Sequence, residues 1–131
     1  MSALSKGLEF SIYNSTSSVA VVYPNSATNT MVYNSYREKG DGYYGSSDGL
    51  HTVMYTANSN FVGTVTMQAT LATAPQESDW FTVDGTTVNY TYMNMRNTST
   101  VDCFNFTGNF VWVRGQVMID QGVVQSILYN H

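Results

Sequence analysis

The chain predicts an all-β fold, an antiparallel β-sandwich of the jelly-roll kind assembled from about eight to ten short strands. Three observations carry this. In the stretch NFVGTVTMQATLATAPQESDWFTV, Asn60 to Val83, the residues Val65, Met67, Ala69 and Leu71 alternate with Thr64, Thr66, Gln68 and Thr70, the period of two of a strand with one buried face. Turn signals punctuate the chain about every 8 to 12 residues, as they do in sandwiches and barrels. The composition leans to Thr, Ser, Asn, Tyr and Val and away from Lys, Glu and Leu, and branched and aromatic side chains fit a pleated surface better than a helix. Nowhere do apolar residues recur at helical spacing over three turns.

Taken in order, residues 1 to 8 read as a flexible arm. Glu9 to Tyr13 is the first strand, with Phe10 and Ile12 on one face, and Asn14 to Ser18 turns the chain. Val19 to Tyr23 is a continuous apolar run stopped by Pro24, which cannot donate to a ladder. Thr30 to Tyr33 follows. The segment from Asn34 to Gly49 holds four glycines and three tyrosines and reads as one long irregular loop, a feature that tends to carry function. Leu50 to Thr56 is a strand of mixed alternation that leads into the Asn60 to Val83 stretch. There a strand, a surface loop and an aromatic anchor at Trp80-Phe81 succeed one another. Asp84-Gly85 is a hairpin signal opening a strand from Thr86 to Met95, with Val88, Tyr90 and Tyr92 on one face. Arg96 to Thr100 turns, Val101 to Phe104 is short, Asn109 to Ile119 is long, Asp120-Gln121-Gly122 is a tight turn, and Val123 to Tyr129 closes the domain.

Asn60-Phe61-Val62-Gly63 is echoed by Asn105-Phe106-Thr107-Gly108, and a β-rich run follows each. After Gly63 the apolar face begins two residues on, whereas after Gly108 it begins three on, with Val111, Val113, Val117 and Ile119, so an extra residue of the bulge type separates the runs. In that register Phe110, Trp112 and Arg114 lie on the opposite face, which is expected to be covered as well.

At 131 residues one domain buries on the order of two-thirds of its unfolded surface and needs no disulfide or metal to hold it. Charged residues are 11% of the chain, against roughly 25% in ordinary soluble domains, so hydroxyls and amides must coat the surface. The net charge is −4, and the five basic residues, Lys6, Arg37, Lys39, Arg96 and Arg114, are spread along the sequence. Without a cationic stripe, direct binding of nucleic acid is not expected. The opening MSALSKGLEF lacks the apolar core of a signal peptide, and no run approaches the ~18 apolar residues of a membrane span. The expectation is synthesis in a cytoplasm and no membrane partner. Cys103 is alone, which excludes an internal disulfide, and it reads as a small buried hydrophobe.

Chemistry-bearing constellations are sparse. Asp41 and Asp48 flank a Gly-rich segment, but two carboxylates fall short of the oxygen ligands calcium takes, and an ordinary loop is the plainer reading. His51 and His131 have no nearby His or Cys in sequence to complete a zinc site, and His51 is expected to be partly buried in its strand. Glu77 with Asp79, and Asp84 with Asp102, have no sequence partner that would tune them for acid-base work. No GxSxG, phosphate-binding glycine loop or HExxH is present. No enzyme, cofactor or metal is expected.

What needs explaining is the aromatic content, ten tyrosines and two tryptophans. Trp80 and Trp112 read first as core residues. Loop tyrosines can stack on sugars or anchor a protein interface, and the interface reading is the plainer one for Tyr43 and Tyr44. The candidate contact residues are Tyr36, Tyr43, Tyr44, Phe110, Trp112 and Arg114.

The combination FVGTVTMQATLATAPQESDWFTV, then NFTGNFVWVRGQV, then GVVQSILYNH resembles small virion structural proteins of contractile-tailed bacteriophages, over residues 60 to 131. The resemblance implies a β-sandwich subunit of a virus particle, as a head decoration, neck, baseplate or fibre component. It implies location in the virion, with other virion proteins as partners, and it transfers no catalytic residue. The low charge fits a surface covered by neighbours in a symmetric homo-oligomer, a trimer or another closed form. The alternative is a glycan-binding sandwich that recognises a host surface through the Asn34 to Gly49 loop.

Overall fold

The computed structural model describes residues 6–12, 15–17, 21–22, 30–45, 49–58, 60–90 and 100–131. Among them the chain forms β1 (Lys6–Gly7), β2 (Phe10–Ile12), β3 (Ser15–Ser17), β4 (Val21–Val22), β5 (Met31–Asn34), β6 (Glu38–Lys39), β7 (Leu50–Ala57), β8 (Val62–Thr70), β9 (Phe81–Thr82), β10 (Val88–Tyr90), β11 (Thr100–Thr107), β12 (Trp112–Gln121) and β13 (Val123–Asn130). The helical segments among the described residues are two single 3-10 turns, Asp41–Tyr44 and Glu77–Asp79.

Two antiparallel sheets result. One runs β1-β13-β7-β11, with β4 also paired to β13; the other runs β10-β8-β12-β5, with β6 on β12 and β9 on β8. Strands β2 and β3 form a separate hairpin. Alternation explains which faces meet. Val65, Met67 and Ala69 of β8 and Val113, Val117 and Ile119 of β12 point inward at 0% exposure, against Val53, Tyr55 and Ala57 of β7 and Ile127 and Tyr129 of β13. Together they form one core cluster, so the fold is the all-β sandwich that the period of two predicts. The β8–β12 ladder runs unbroken from Trp112 opposite Thr70 to Ile119 opposite Gly63, and the bulge falls beyond it, at Asp120. Gly122 then passes the chain from one sheet to the other, with φ +85° and a Cβ position only 2.2 Å from the Asn60 carbonyl. A side chain there would meet both the left-handed backbone and a wall.

Several expectations are corrected. The arm is tied down from Lys6 on, because β1 pairs with Tyr129 and Leu128 and Leu8 is 1% exposed; residues 1–5 lie outside the described set. Ser15–Ser17, read as a turn, is a return strand. β7 alternates cleanly, with His51, Val53, Tyr55 and Ala57 inward and Leu50, Thr52, Met54 and Thr56 outward; the outward-facing Leu50 and Met54 disguise the pattern. His51 is completely buried rather than partly so. Thr100–Thr107 is a full strand, and its outward Cys103 is exposed, not buried. The Asn-Phe echo is not structural, since Asn60-Phe61 precedes a strand while Asn105-Phe106 lies inside one.

Asp84-Gly85 does turn the chain, yet it makes no hairpin. β9 and β10 both pair with β8, end to end along one edge. Thr86 bridges the gap: the Met67 N–H donates to its Oγ1 at 3.2 Å, and that hydroxyl donates to the Val83 carbonyl at 2.7 Å. The Thr86 carbonyl in turn accepts from the Tyr55 hydroxyl at 2.8 Å. A side chain stands in for the missing ladder partner. The predicted Tyr92 and Arg96 to Ser99 positions lie outside the described residues, as do Asp48 and Tyr23.

Candidate functional site

The segment from Asn34 to Gly49 is not one irregular loop. Ser35 bridges to Phe10, Glu38–Lys39 pairs with Trp112 and Val113, and Asp41–Tyr44 is a 3-10 turn. Between β5 and β6 the edge of the sheet opens for two residues. Ser35 fixes one end, donating its backbone N–H to the Gly115 carbonyl at 2.8 Å and accepting the Gly115 N–H on its Oγ at 2.8 Å. Tyr36 and Arg37 therefore stand out from the sheet, Tyr36 at 50% exposure.

Across β12 the loop after β8 forms the facing wall. The Thr70 hydroxyl accepts the Ala72 N–H at 3.1 Å and turns the chain. Asp79 reaches back to the Gln76 N–H at 2.8 Å, which closes a capping box around the second 3-10 turn. Trp112 donates from Nε1 to the Thr73 carbonyl at 2.9 Å. The loop is thereby laid over the outer face of the larger sheet.

Arg114 forms the floor. Its neighbour across the ladder is Gln68, and its Nε donates to Gln68 Oε1 at 2.8 Å. Its two terminal nitrogens donate to the two oxygens of Glu77, and its guanidinium lies 4.4 Å from the Trp80 ring centre. Arg114 is 6% exposed, so the outer face is indeed covered here, by the loop. The Arg114 hydrogen bonds hold the Glu77 carboxyl below the ordinary carboxylate range. Between the two walls lies an open groove of about 450 Å³ lined by Ser35, Tyr36, Arg37, Pro75, Trp80 and Arg114.

Beside the groove, Arg37 stacks on Trp112 with Cζ 4.2 Å from the ring centre. Tyr43 meets the same indole at 5.1 Å between centroids, and the Lys39 ammonium sits 4.7 Å above Tyr43. Tyr44 packs edge-on against Tyr43 and stacks on His131. Behind this, Asp41, His51 and His131 converge. The Asp41 N–H donates to His51 Nε2 at 3.1 Å, and His131 Nδ1 donates to the Asp41 carboxylate at 2.7 Å. Burial holds the His51 imidazole below its usual value and the Tyr129 phenol above its own. Among the described residues no group of three or more His, Cys, Asp or Glu is arranged for a metal ion; the His51 Nε2 lone pair is already taken by a backbone N–H.

Of the sequence-predicted contact residues, Tyr36 and Arg114 line the groove, Trp112 and Tyr43 brace its rim, and Tyr44 lies one ring further out. Phe110 does not join them. The strand begins only at Trp112, and the bend at Val111 turns Phe110 back against His51, Phe106 and Phe81 at the end of the core. For the same reason Val111 is half-buried rather than a core position. Trp80 and Trp112, expected in the core, are half-buried on the outer face. Sequence reasoning missed Arg37, Pro75, Trp80 and the anchoring role of Glu77. Arg37 was within reach, since it sits beside Tyr36 in the segment singled out for function.

Fold and site together define an antiparallel β-sandwich with an open groove, walled by aromatics and floored by a guanidinium, on the outer face of one sheet. No protein-family model matches the chain, and no curated protein matches it. Among solved structures the chain is similar to a carbohydrate-binding module of Cellvibrio mixtus lichenase 5A, solved in complex with cellotriose, at 13% identity over 98% of this chain and 90% of that one, with a TM-score of 0.38. No helix among the described residues is long and apolar enough to cross a membrane.

Proposed function

We propose that the chain is a non-catalytic binding module whose groove takes a saccharide. The observation that carries this reading is the groove itself, with Tyr36 and Trp80 on opposite walls and Arg37, Arg114 and Ser35 among its polar lining. A sugar offers apolar C–H faces to an aromatic ring and a rim of hydroxyls to hydrogen-bonding groups, and a cleft of aromatic walls with a few placed polar groups suits both. The walls are preorganised by Glu77, Gln68 and Thr73 contacts, which lowers the ordering cost of binding. The test is affinity electrophoresis in gels cast with soluble β-glucan, xylan, mannan and uronate polymers. Retardation of the wild type by at least one polymer, lost in Trp80→Ala and Tyr36→Ala with the melting temperature kept, supports the reading; migration unchanged in every gel overturns it.

A second reading, a structural subunit of a tailed-phage particle, draws on a different surface. On the outer face of β7 and β11 the outward residues Leu50, Thr52, Met54, Thr56, Val101, Cys103, Asn105 and Thr107 include no charge, and Leu50 and Val101 are 47% and 58% exposed. Such a face suits contact with further copies or other virion proteins. Light scattering after size exclusion tests it: a closed oligomer is expected, and a monomer at all concentrations removes it.

A further inference from the structure

We propose that the saccharide taken by the groove is acidic, with its carboxylate held by Arg37. The inference rests on the saccharide reading and adds the ligand's charge. In a chain of net charge −4 with five basic residues, three of the five, Arg37, Lys39 and Arg114, gather around this one surface. Their states differ. Arg114 is consumed by Glu77 and Gln68. Lys39 lies over Tyr43. Away from the groove, Lys6 pairs with Glu38 at 3.3 Å, and the ion pairs among the described residues leave Arg37 without a carboxylate.

Arg37 is exposed and lines the groove, while its guanidinium face rests on Trp112. Stacking uses the face of the guanidinium and leaves the N–H donors along its edge in a fixed plane. A carboxylate accepts two parallel bonds from such an edge, and the geometry is set before the ligand arrives. Glu77, the carboxylate beside the groove wall, is neutralised by Arg114, so it does not repel an incoming anion as a free acid would. A neutral sugar would leave the Arg37 charge without a counter-charge.

The experiment compares polygalacturonate, alginate and hyaluronate with their carboxyl-reduced, neutral counterparts by affinity electrophoresis and calorimetry, using wild type and Arg37→Gln. At least one uronate polymer should bind the wild type about ten-fold or more tightly than its reduced form. That preference should shrink in Arg37→Gln and as salt is raised, with most of the lost affinity falling on the acidic form. Equal binding of acidic and reduced forms, or equal weakening of both in Arg37→Gln, overturns the acidic-ligand inference and leaves the saccharide reading standing. Binding to none of these polymers, nor to β-glucan, xylan or mannan, overturns both. Retained melting temperature in Arg37→Gln separates a lost ligand contact from a lost cover over Trp112.

Discussion

Arg114 donates from Nη1 and Nη2 to the two carboxylate oxygens of Glu77, at 2.9 and 3.1 Å, so a side chain from the central β12 strand holds down the loop that follows β8. The pair is asymmetric. The Arg114 side chain is 8% exposed and that of Glu77 is 78% exposed, so the arginine is fixed by its surroundings and the glutamate comes to it from solvent. The link therefore positions the groove wall more than it stabilises the fold.

Replacing Glu77 by Gln should cost about 1 kcal/mol or less, the range of pairs with a solvent-exposed partner, because the amide keeps an oxygen that accepts from Arg114. The sign with pH follows from the lowered carboxyl. Its contribution is present above the ordinary glutamate range and is lost as pH falls through the folded value below it. Melting curves of wild type and Glu77→Gln should converge at acid pH, and a gap of equal size at pH 7 and at the acid end would contradict this.

His51 should make the domain sensitive to mild acid. Burial lowers its pKa from 6.5, so below that value the unfolded chain takes up a proton that the folded one refuses. Stability then falls as pH drops through about 6.5 towards the folded value, by at most about 1.4 kcal/mol per pH unit. His51→Gln should flatten this part of the profile, and an unchanged slope would remove His51 as its source.

Thr86→Val keeps the shape and deletes the hydroxyl that receives the Met67 N–H. A buried donor left without a partner costs about 1–3 kcal/mol, readable as a lower denaturation midpoint. Faster amide exchange at Met67 should accompany it, and a midpoint like the wild type's would mean that the hydroxyl is dispensable.

Val117→Asp should abolish folding, since an unpaired charge at a position of 0% exposure costs several kcal/mol. A folded Val117→Asp variant would place the β12 register off by one.

The sheets were legible because alternation is a local property: Val65, Met67, Ala69 and Val113, Val117, Ile119 declare their face within a few residues. β7 was harder, since its core side carries His51 and Tyr55 while Leu50 and Met54 face out, inverting the hydrophobic order. Asp84-Gly85 announced a turn but could not announce that β8 waits on both sides of it. Tyr36 and Arg114 are legible in the sequence, one as an aromatic of the Asn34 to Gly49 segment and one from its strand face. Their companions are not, because Glu77 and Trp80, in the loop after β8, meet Arg114 only when that loop folds over β12. Cys103 and Trp80 were assigned by residue habit, which says nothing of the neighbours that decide burial.

Trp80 can report directly on a sugar held in the groove opposite Tyr36. In Trp112→Phe the remaining indole is Trp80, so its fluorescence during titration with an oligosaccharide of whichever polymer retards the protein is the measurement. A saturable shift in emission is expected, with the same dissociation constant as calorimetry and none in Tyr36→Ala. Calorimetric binding with the Trp80 emission unmoved would place the ligand elsewhere and contradict a sugar site in the groove.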